Sequence, residues 1–363
     1  MKALFLAGGM GTRLQPLTDN LPKPMVPIMN KPLLERTMHN LKKCGISEVI
    51  ISTCFHPEYI KDYFANGINF DLKIEYIVEE SPMGTGGAIK KAEEYFDDTF
   101  IVFNSDILSD IDLSKMIDFH KSKQALATIA VTKVQDPSKY GVIEYDSKGY
   151  ATTFKEKPKL GETSSKSINA GIYIFEPVIF KEIAAGRAVS IEREIFPKLL
   201  ENAQKIGIYQ SGSYWMDIGT IEKYRQAHWD IMKGKCKLVD CEFNSDNISF
   251  GKNVKIHPSS KIIGPAYIGD NATIGAKVMI NHSVIGNNVS IGFNSRITGS
   301  ILWNDVIISK NARLSDTVVT ASCDDKEINL LKTITIIESL SPKKSPNIKG
   351  LISDIIKNEN RKG

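Results

Sequence analysis

Two hydrophobic rhythms run along the chain. Up to about residue 230, short apolar runs alternate with stretches whose apolar positions recur at helical spacing. Ala3–Ala7, Glu48–Thr53, Lys73–Val78, Phe100–Asn104, Ala127–Val134 and Ile172–Phe175 read as strands. Leu33–Cys44 and Gly86–Tyr95 read as amphipathic helices. This alternation predicts a mainly parallel sheet covered by helices on both faces. Ligands of such sheets bind beyond the carboxyl ends of the strands.

After about residue 250 the rhythm changes. Ile256, Ile262, Ile268, Ile274 and Ile280 recur every six residues. The phase slips by one, and Ile285, Ile291 and Ile297 continue; it slips again before Leu302, Ile308 and Leu314. A six-residue period marks a parallel β-helix, with one aliphatic per short strand filling the interior. Several of these aliphatics precede glycine, as in Ile268-Gly269, Ile274-Gly275, Ile285-Gly286 and Ile291-Gly292. Glycine is expected to ease each corner. The boundaries that follow are 1–235 for the first domain, 236–250 for a linker and 251–320 for the repeats. Residues 321–363 form a polar tail, with a short helix expected near Ile348–Lys357.

Composition narrows the classes. The 363 residues allow two domains and a large core. A net charge of +4 gives no argument for nucleic acid or a membrane surface. The five cysteines include no C-x-x-C pair, and their odd number fits a reducing cytoplasm. The N-terminus enters a strand at once, and no apolar run approaches the roughly 18 residues of a membrane span.

The candidate chemistry begins directly after the first strand. Leu6–Ile28 reads LAGGMGTRLQPLTDNLPKPMVPI. A glycine turn after a strand lets a ligand approach backbone N–H groups, which suit phosphate. Arg13 and Lys23, the latter between Pro22 and Pro24, add positive charge. The stretch is not a P-loop, and Leu14 stands where G-x-G-x-x-G needs its third glycine. Asp106 follows the apolar run Phe100–Phe103, and Asp217 follows Tyr214-Trp215-Met216, so both are expected at strand ends. Two carboxylates from distant positions can hold Mg²⁺ while it keeps water and phosphate ligands. No nucleophile with a base beside it stands out, and the six histidines show no metal spacing.

The motifs Leu6–Leu14, LPKPM around Lys23, Asn104-Ser105-Asp106, FKEKP (154–158), NAGI (169–172) and WMDIG (215–219) occur in this order, ahead of the repeats. Together they resemble the sugar nucleotidyltransferases, or nucleotide-sugar pyrophosphorylases, to about residue 320. Within that family the resemblance is to the mannose-1-phosphate guanylyltransferases, through NSD at 104–106, SIEREIFP at 190–197, YWMDIG at 214–219 and P-M-G-T-G-G at 82–87. It implies an α/β fold, a Rossmann-like mixed, mainly parallel sheet sandwiched by helices, followed by a left-handed parallel β-helix. It implies a reaction of a nucleoside triphosphate, GTP favoured, with a sugar 1-phosphate, mannose 1-phosphate favoured, releasing pyrophosphate with Mg²⁺ as cofactor.

The resemblance also implies roles. Leu6, Ala7, Gly8, Gly9, Gly11 and Thr12 meet the nucleotide. Arg13 clamps the β- and γ-phosphates, and Lys23 stabilises the α-phosphate in the transition state. Asp106 and Asp217 hold the metal. Gly141, Glu156, Lys157 and Asn169 form the sugar-phosphate site. Glu79, Glu80, Gly84 and Thr85 belong to the base-reading segment, where either glutamate can accept from N1–H and N2–H₂ of guanine. The repeats imply a homo-oligomer. His257 and His282 lie in the repeats and read as corner residues, not as the base of an acyltransferase. Thymidylyl-, uridylyl- or adenylyl transfer to glucose 1-phosphate, and guanylyl transfer to a heptose phosphate, are alternative specificities. Regulatory paralogues that lose the phosphate loop are the non-enzyme alternative; here Gly11, Arg13, Lys23, Asp106 and Asp217 all stand.

Overall fold

A computed structural model describes residues 1–159, 161–238 and 241–320. The expected tail, with its short helix, lies outside these residues. The chain forms two compact units, Met1–Cys241 and a second that begins at Glu242.

The first unit is built on a nine-stranded sheet: β1 (Lys2–Ala7), β2 (Glu48–Thr53), β3 (Lys73–Val78), β4 (Phe100–Asn104), β5 (Ala127–Lys133), β6 (Gly141–Tyr145), β7 (Ala151–Glu156), β8 (Ser167–Phe175) and β9 (Ile206–Gln210). The order is β7-β6-β8-β4-β1-β2-β3; β5 pairs with β8 and β9. β1 lies parallel between β2 and β4, with Leu4 opposite both Ile50 and Val102. β8 runs antiparallel to β4, β5 and β6. Parallel pairing therefore rules the first half of the sheet; in the second, β8 and β7 pair antiparallel with their neighbours, while β9 lies parallel to β5.

After Lys2 the central strand is apolar because both of its faces are covered. Leu4 packs with Ile50 and Val102 on one face, where helix Gly84–Lys91 adds Ile89. Ala3 and Phe5 pack with Ile51 and Phe103 on the other, where helices Leu33–Met38, Pro57–Phe64 and Leu113–Lys123 add Leu34, Phe64 and Met116. Phe5 stacks on Phe103 at 4.8 Å between centroids. Both expected helices are shorter in α form. Each finishes as a separate 3₁₀ turn, Lys42–Cys44 before Gly45 (φ 72°) and Glu93–Tyr95. Among the described residues no helix is long and apolar enough to cross a membrane.

The second unit is a parallel β-helix of three sheets, whose first strand is Ile248–Phe250. Ile268, Ile274 and Ile280 fill its interior and pair with Ile285, Ile291 and Ile297 of the next turn. The phase slips seen in the sequence set the length of a turn. Asn271 Nδ2 donates to Asn288 Oδ1 at 3.0 Å, and Asn288 Nδ2 to Asp305 Oδ1 at 2.9 Å, each across 17 positions. The first turn is one residue longer, because Asn253 reaches Asn271 across 18. The expected role of glycine needs correction here. The left-handed corner conformation belongs to Asn253, Asn271, Asn288 and Asp305, whose short polar side chains tolerate it. The glycines serve close approach: a Cβ on Gly292 would stand 2.6 Å from the Lys310 backbone nitrogen, and one on Gly286 2.5 Å from the Trp303 carbonyl.

Candidate active site

The site lies at the carboxyl ends of β1 and β4. Gly11 has φ 65°, and a Cβ there would meet Lys23 Cβ at 3.0 Å. The glycine turn thus packs directly on the lysine. The Thr18 hydroxyl holds the turn by donating to the Gly11 carbonyl at 2.9 Å. Pro22 and Pro24 stiffen a 3₁₀ turn, Lys23–Met25, that leaves Lys23 only 7% exposed. A buried ammonium needs anionic partners. Lys23 Nζ donates to Asp106 Oδ2 at 2.6 Å and stands 4.0 Å from Asp217 Oδ1.

A small ribbon brings the two aspartates together. Trp215–Asp217 pairs antiparallel with Ile107–Ser109, placing Asp217 opposite Ile107. The Ile218 N–H donates to the Asp106 carbonyl at 2.9 Å. Arg13 joins them over Gly219, where a Cβ would stand 2.8 Å from Asp217 Oδ1 and 3.3 Å from the guanidinium. A side chain at the glycine of WMDIG would crowd both charged groups.

The cleft beside Lys23 encloses about 280 Å³. Leu6, Ala7, Gly8, Gly9, Lys23, Glu79, Gly84, Thr85 and Asp106 line it. Thr12 and Arg13 are exposed on the adjoining turn, and Glu80 is exposed outside the lining. Glu79 has one internal donor on each oxygen: the Ser52 hydroxyl on Oε1 at 2.8 Å and the Met83 N–H on Oε2 at 3.0 Å. It shapes the 79–83 loop while standing in the cleft wall.

On the sugar side, Gly141 opens β6 and pairs with Glu156 at the end of β7. A Cβ on Gly141 would fall 2.9 Å from Glu156 Oε2. Lys157, at φ 51°, places Nζ 3.6 Å from Glu156 Oε1, and its N–H donates to the Tyr140 carbonyl at 2.9 Å. Asn169 Nδ2 donates to the Tyr173 hydroxyl at 2.8 Å, while its Oδ1 accepts from the Gly171 N–H at 2.9 Å. Burial raises the Glu156 carboxyl above its usual range, and the charge of Glu192 raises it further, against the pull of Lys157 and Arg193.

Sequence reasoning singled out neither Glu192 nor Lys223. Glu192 accepts from the hydroxyls of Thr85 at 2.7 Å and Ser190 at 2.8 Å, and it lies on the turn of π-helix Ile191–Ile195. It therefore ties the first turn of helix Gly84–Lys91 to β8 through Tyr173, whose hydroxyl donates to it at 3.4 Å. Its only signal was the motif SIEREIFP. Lys223 donates to Asp217 Oδ2 at 3.0 Å and to the Tyr140 oxygen at 2.6 Å.

Among the described residues no three of His, Cys, Asp and Glu gather as a metal cluster. The pair Asp106 and Asp217 suits a divalent cation that keeps water and phosphate ligands. One observation favours that fit: Asp217 Oδ1 is buried and has no hydrogen-bond partner.

A fold with its glycine turn, lysine and two aspartates at the carboxyl edge of the sheet is that of a nucleotide-transferring enzyme. Residues 2–234 match the nucleotidyl transferase family, and residues 245–339 match the EIF2B subunit epsilon LbH domain. The chain belongs to the nucleotidyl transferase family, and its coil is a left-handed β-helix. It is 36% identical over 284 residues to mannose-1-phosphate guanylyltransferase of Mycobacterium tuberculosis, covering 78% of this chain and 79% of that one. It is 34% identical over 319 residues to UTP–glucose-1-phosphate uridylyltransferase of Synechocystis sp., covering 78% and 82%. Among solved structures, HddC from Yersinia pseudotuberculosis complexed with GMP-PN superposes with a TM-score of 0.55 at 32% identity, covering 63% of this chain and 99% of that chain.

Proposed function

We propose that this chain transfers a guanylyl group from GTP to mannose 1-phosphate, forming GDP-mannose and releasing pyrophosphate. The observation that carries the reading is the convergence of the glycine loop, Lys23 and Asp106 on one cleft, with Asp217 4.0 Å from Lys23 Nζ. The 36% identity to a mannose-1-phosphate guanylyltransferase supports the substrates.

In this reading the triphosphate lies along Gly8–Gly11, with Arg13 on its β- and γ-phosphates and Lys23 at the α-phosphate. Gly84, Thr85 and Glu79 bound the base, Glu79 through its remaining lone pairs. Lys157 orients the sugar phosphate, while Glu156, Gly141 and Asn169 receive the sugar. Asp106 and Asp217 hold Mg²⁺, which lowers the negative charge on the phosphates. The two substrates are anions, so positioning and charge neutralisation account for the rate, and no residue becomes covalently attached. The chain works in the cytoplasm as a homo-oligomer, which sedimentation of the purified protein tests.

Pyrophosphate release with Mg²⁺ across GTP, ATP, UTP, CTP and dTTP, each with mannose 1-phosphate and with glucose 1-phosphate, tests the substrates. Release confined to GTP with mannose 1-phosphate is expected. Release with UTP and glucose 1-phosphate would replace this specificity by the second reading, which the 34% relative favours.

A further inference from the structure

We infer that Lys223 is a positioning residue that holds one oxygen of Asp217 and leaves the other to meet the metal. The inference rests on the reading of Asp217 as a metal ligand. Thr220 caps helix Ile221–Met232, its hydroxyl oxygen accepting from the Lys223 N–H at 3.3 Å. That cap fixes Lys223 on the first turn. Its Nζ then reaches Asp217 Oδ2 at 3.0 Å and the Tyr140 oxygen at 2.6 Å. Oδ2 is thereby engaged. Oδ1 is buried without a hydrogen-bond partner and lies 4.0 Å from Lys23 Nζ, which in turn contacts Asp106.

A free carboxylate can chelate a cation through both oxygens or bind it through one. Small octahedral Mg²⁺ suits single-oxygen ligation that leaves room for phosphate and water. Lys223 selects that mode by occupying the second oxygen. Groups that orient metal ligands in this way commonly change affinity about 10–100-fold when removed. Tyr140 gives the same ammonium a second hold. It stands beside Gly141, and its carbonyl accepts from the Lys157 N–H at 2.9 Å. One side chain therefore joins the metal carboxylate to the start of the sugar-side strands.

The test measures Mn²⁺ binding to the full chain by the paramagnetic resonance of free Mn²⁺, without nucleotide, with folding followed by circular dichroism. Lys223→Met is expected to weaken Mn²⁺ binding about tenfold, and Lys223→Arg to recover part of the loss. Removing a cation beside a carboxylate would, by charge alone, tighten binding, so the sign discriminates. Unchanged or tighter Mn²⁺ in a folded Lys223→Met overturns the inference. Should Lys223→Met fail to fold, Lys223→Gln carries the same test with the same two outcomes. Asp217→Asn separates the two failures. Lost binding there keeps Asp217 as a ligand whatever Lys223 does. Native-like binding there removes the metal-site reading, and the inference with it.

Discussion

At the scale of single residues, Lys23 is the pivot. Its buried ammonium depends on Asp106, so Asp106→Ala leaves a charge without its partner. We expect that variant to lose both stability and activity, read as a lower Tm and an absent pyrophosphate signal. Lys23→Met instead removes the charge itself. It should fold while kcat falls about a hundredfold or more, the scale of losing one preorganised electrostatic contact. Glu156 makes a different prediction, of pH dependence. Its carboxyl sits above the ordinary range through burial and then through Glu192. The acidic limb of the kcat/KM profile should follow it, and Glu192→Gln should move that limb to lower pH. His228 governs stability. Its buried ring titrates at about 4, because burial disfavours the cation, and Nε2 accepts from the Met29 N–H at 3.2 Å. Below its ordinary pKa of about 6.5 the unfolded chain gains a proton that the native chain does not. Stability should therefore fall as pH drops from about 6.5 to 4, by at most about 1.4 kcal/mol per pH unit. Thermal melts of the native chain and His228→Gln should diverge across that window alone.

At the scale of elements, legibility followed burial. β1, β2 and β4 could be read because their apolar runs are largely buried, and β3 because its buried Ile74 and Ile77 lie in a run of strand-forming residues at the sheet edge. β7 could not, since ATTFKE buries only Phe154 fully and looks like a loop. β6 and β9 were missed with it, so of the second half of the sheet only β5 and the end of β8 were read. The site divides in the same way. Gly11, Lys23, Asp106 and Asp217 stand in motifs whose chemistry is local enough to recognise. Glu192 and Lys223 matter through partners far away in the chain, at Thr85 and Tyr140, and spacing carries no trace of such pairings. In the coil, the six-residue rhythm was legible but the task of glycine was not, because it depends on the neighbouring turn. Gly292→Val should drive that turn apart and lower the melting temperature of the coil, whereas Asn288→Ala should cost about 1–2 kcal/mol for its left-handed backbone.

At the scale of the whole molecule, every candidate site residue belongs to the first unit and none to the coil. Substitutions should separate accordingly. Calorimetry of Asp106→Ala should show a shift in one transition, and that of Gly292→Val a shift in another. The kcat of Gly292→Val should stay within about twofold of the native chain. A single shared transition would show that the units unfold together.

The asparagine ladder has a consequence for how this chain can change in length. From Asn271 onward, each rung meets the next 17 positions on. Excising Val284–Ser300 therefore removes one complete turn and lets Asp305 stand where Asn288 stood. Every inward aliphatic keeps its direction, and the shortened coil closes as before. Excising one residue more would break the 17-position match of the ladder at that turn. Loss of a whole storey keeps every rung of the ladder and every inward position, so the coil's heights form a discrete series.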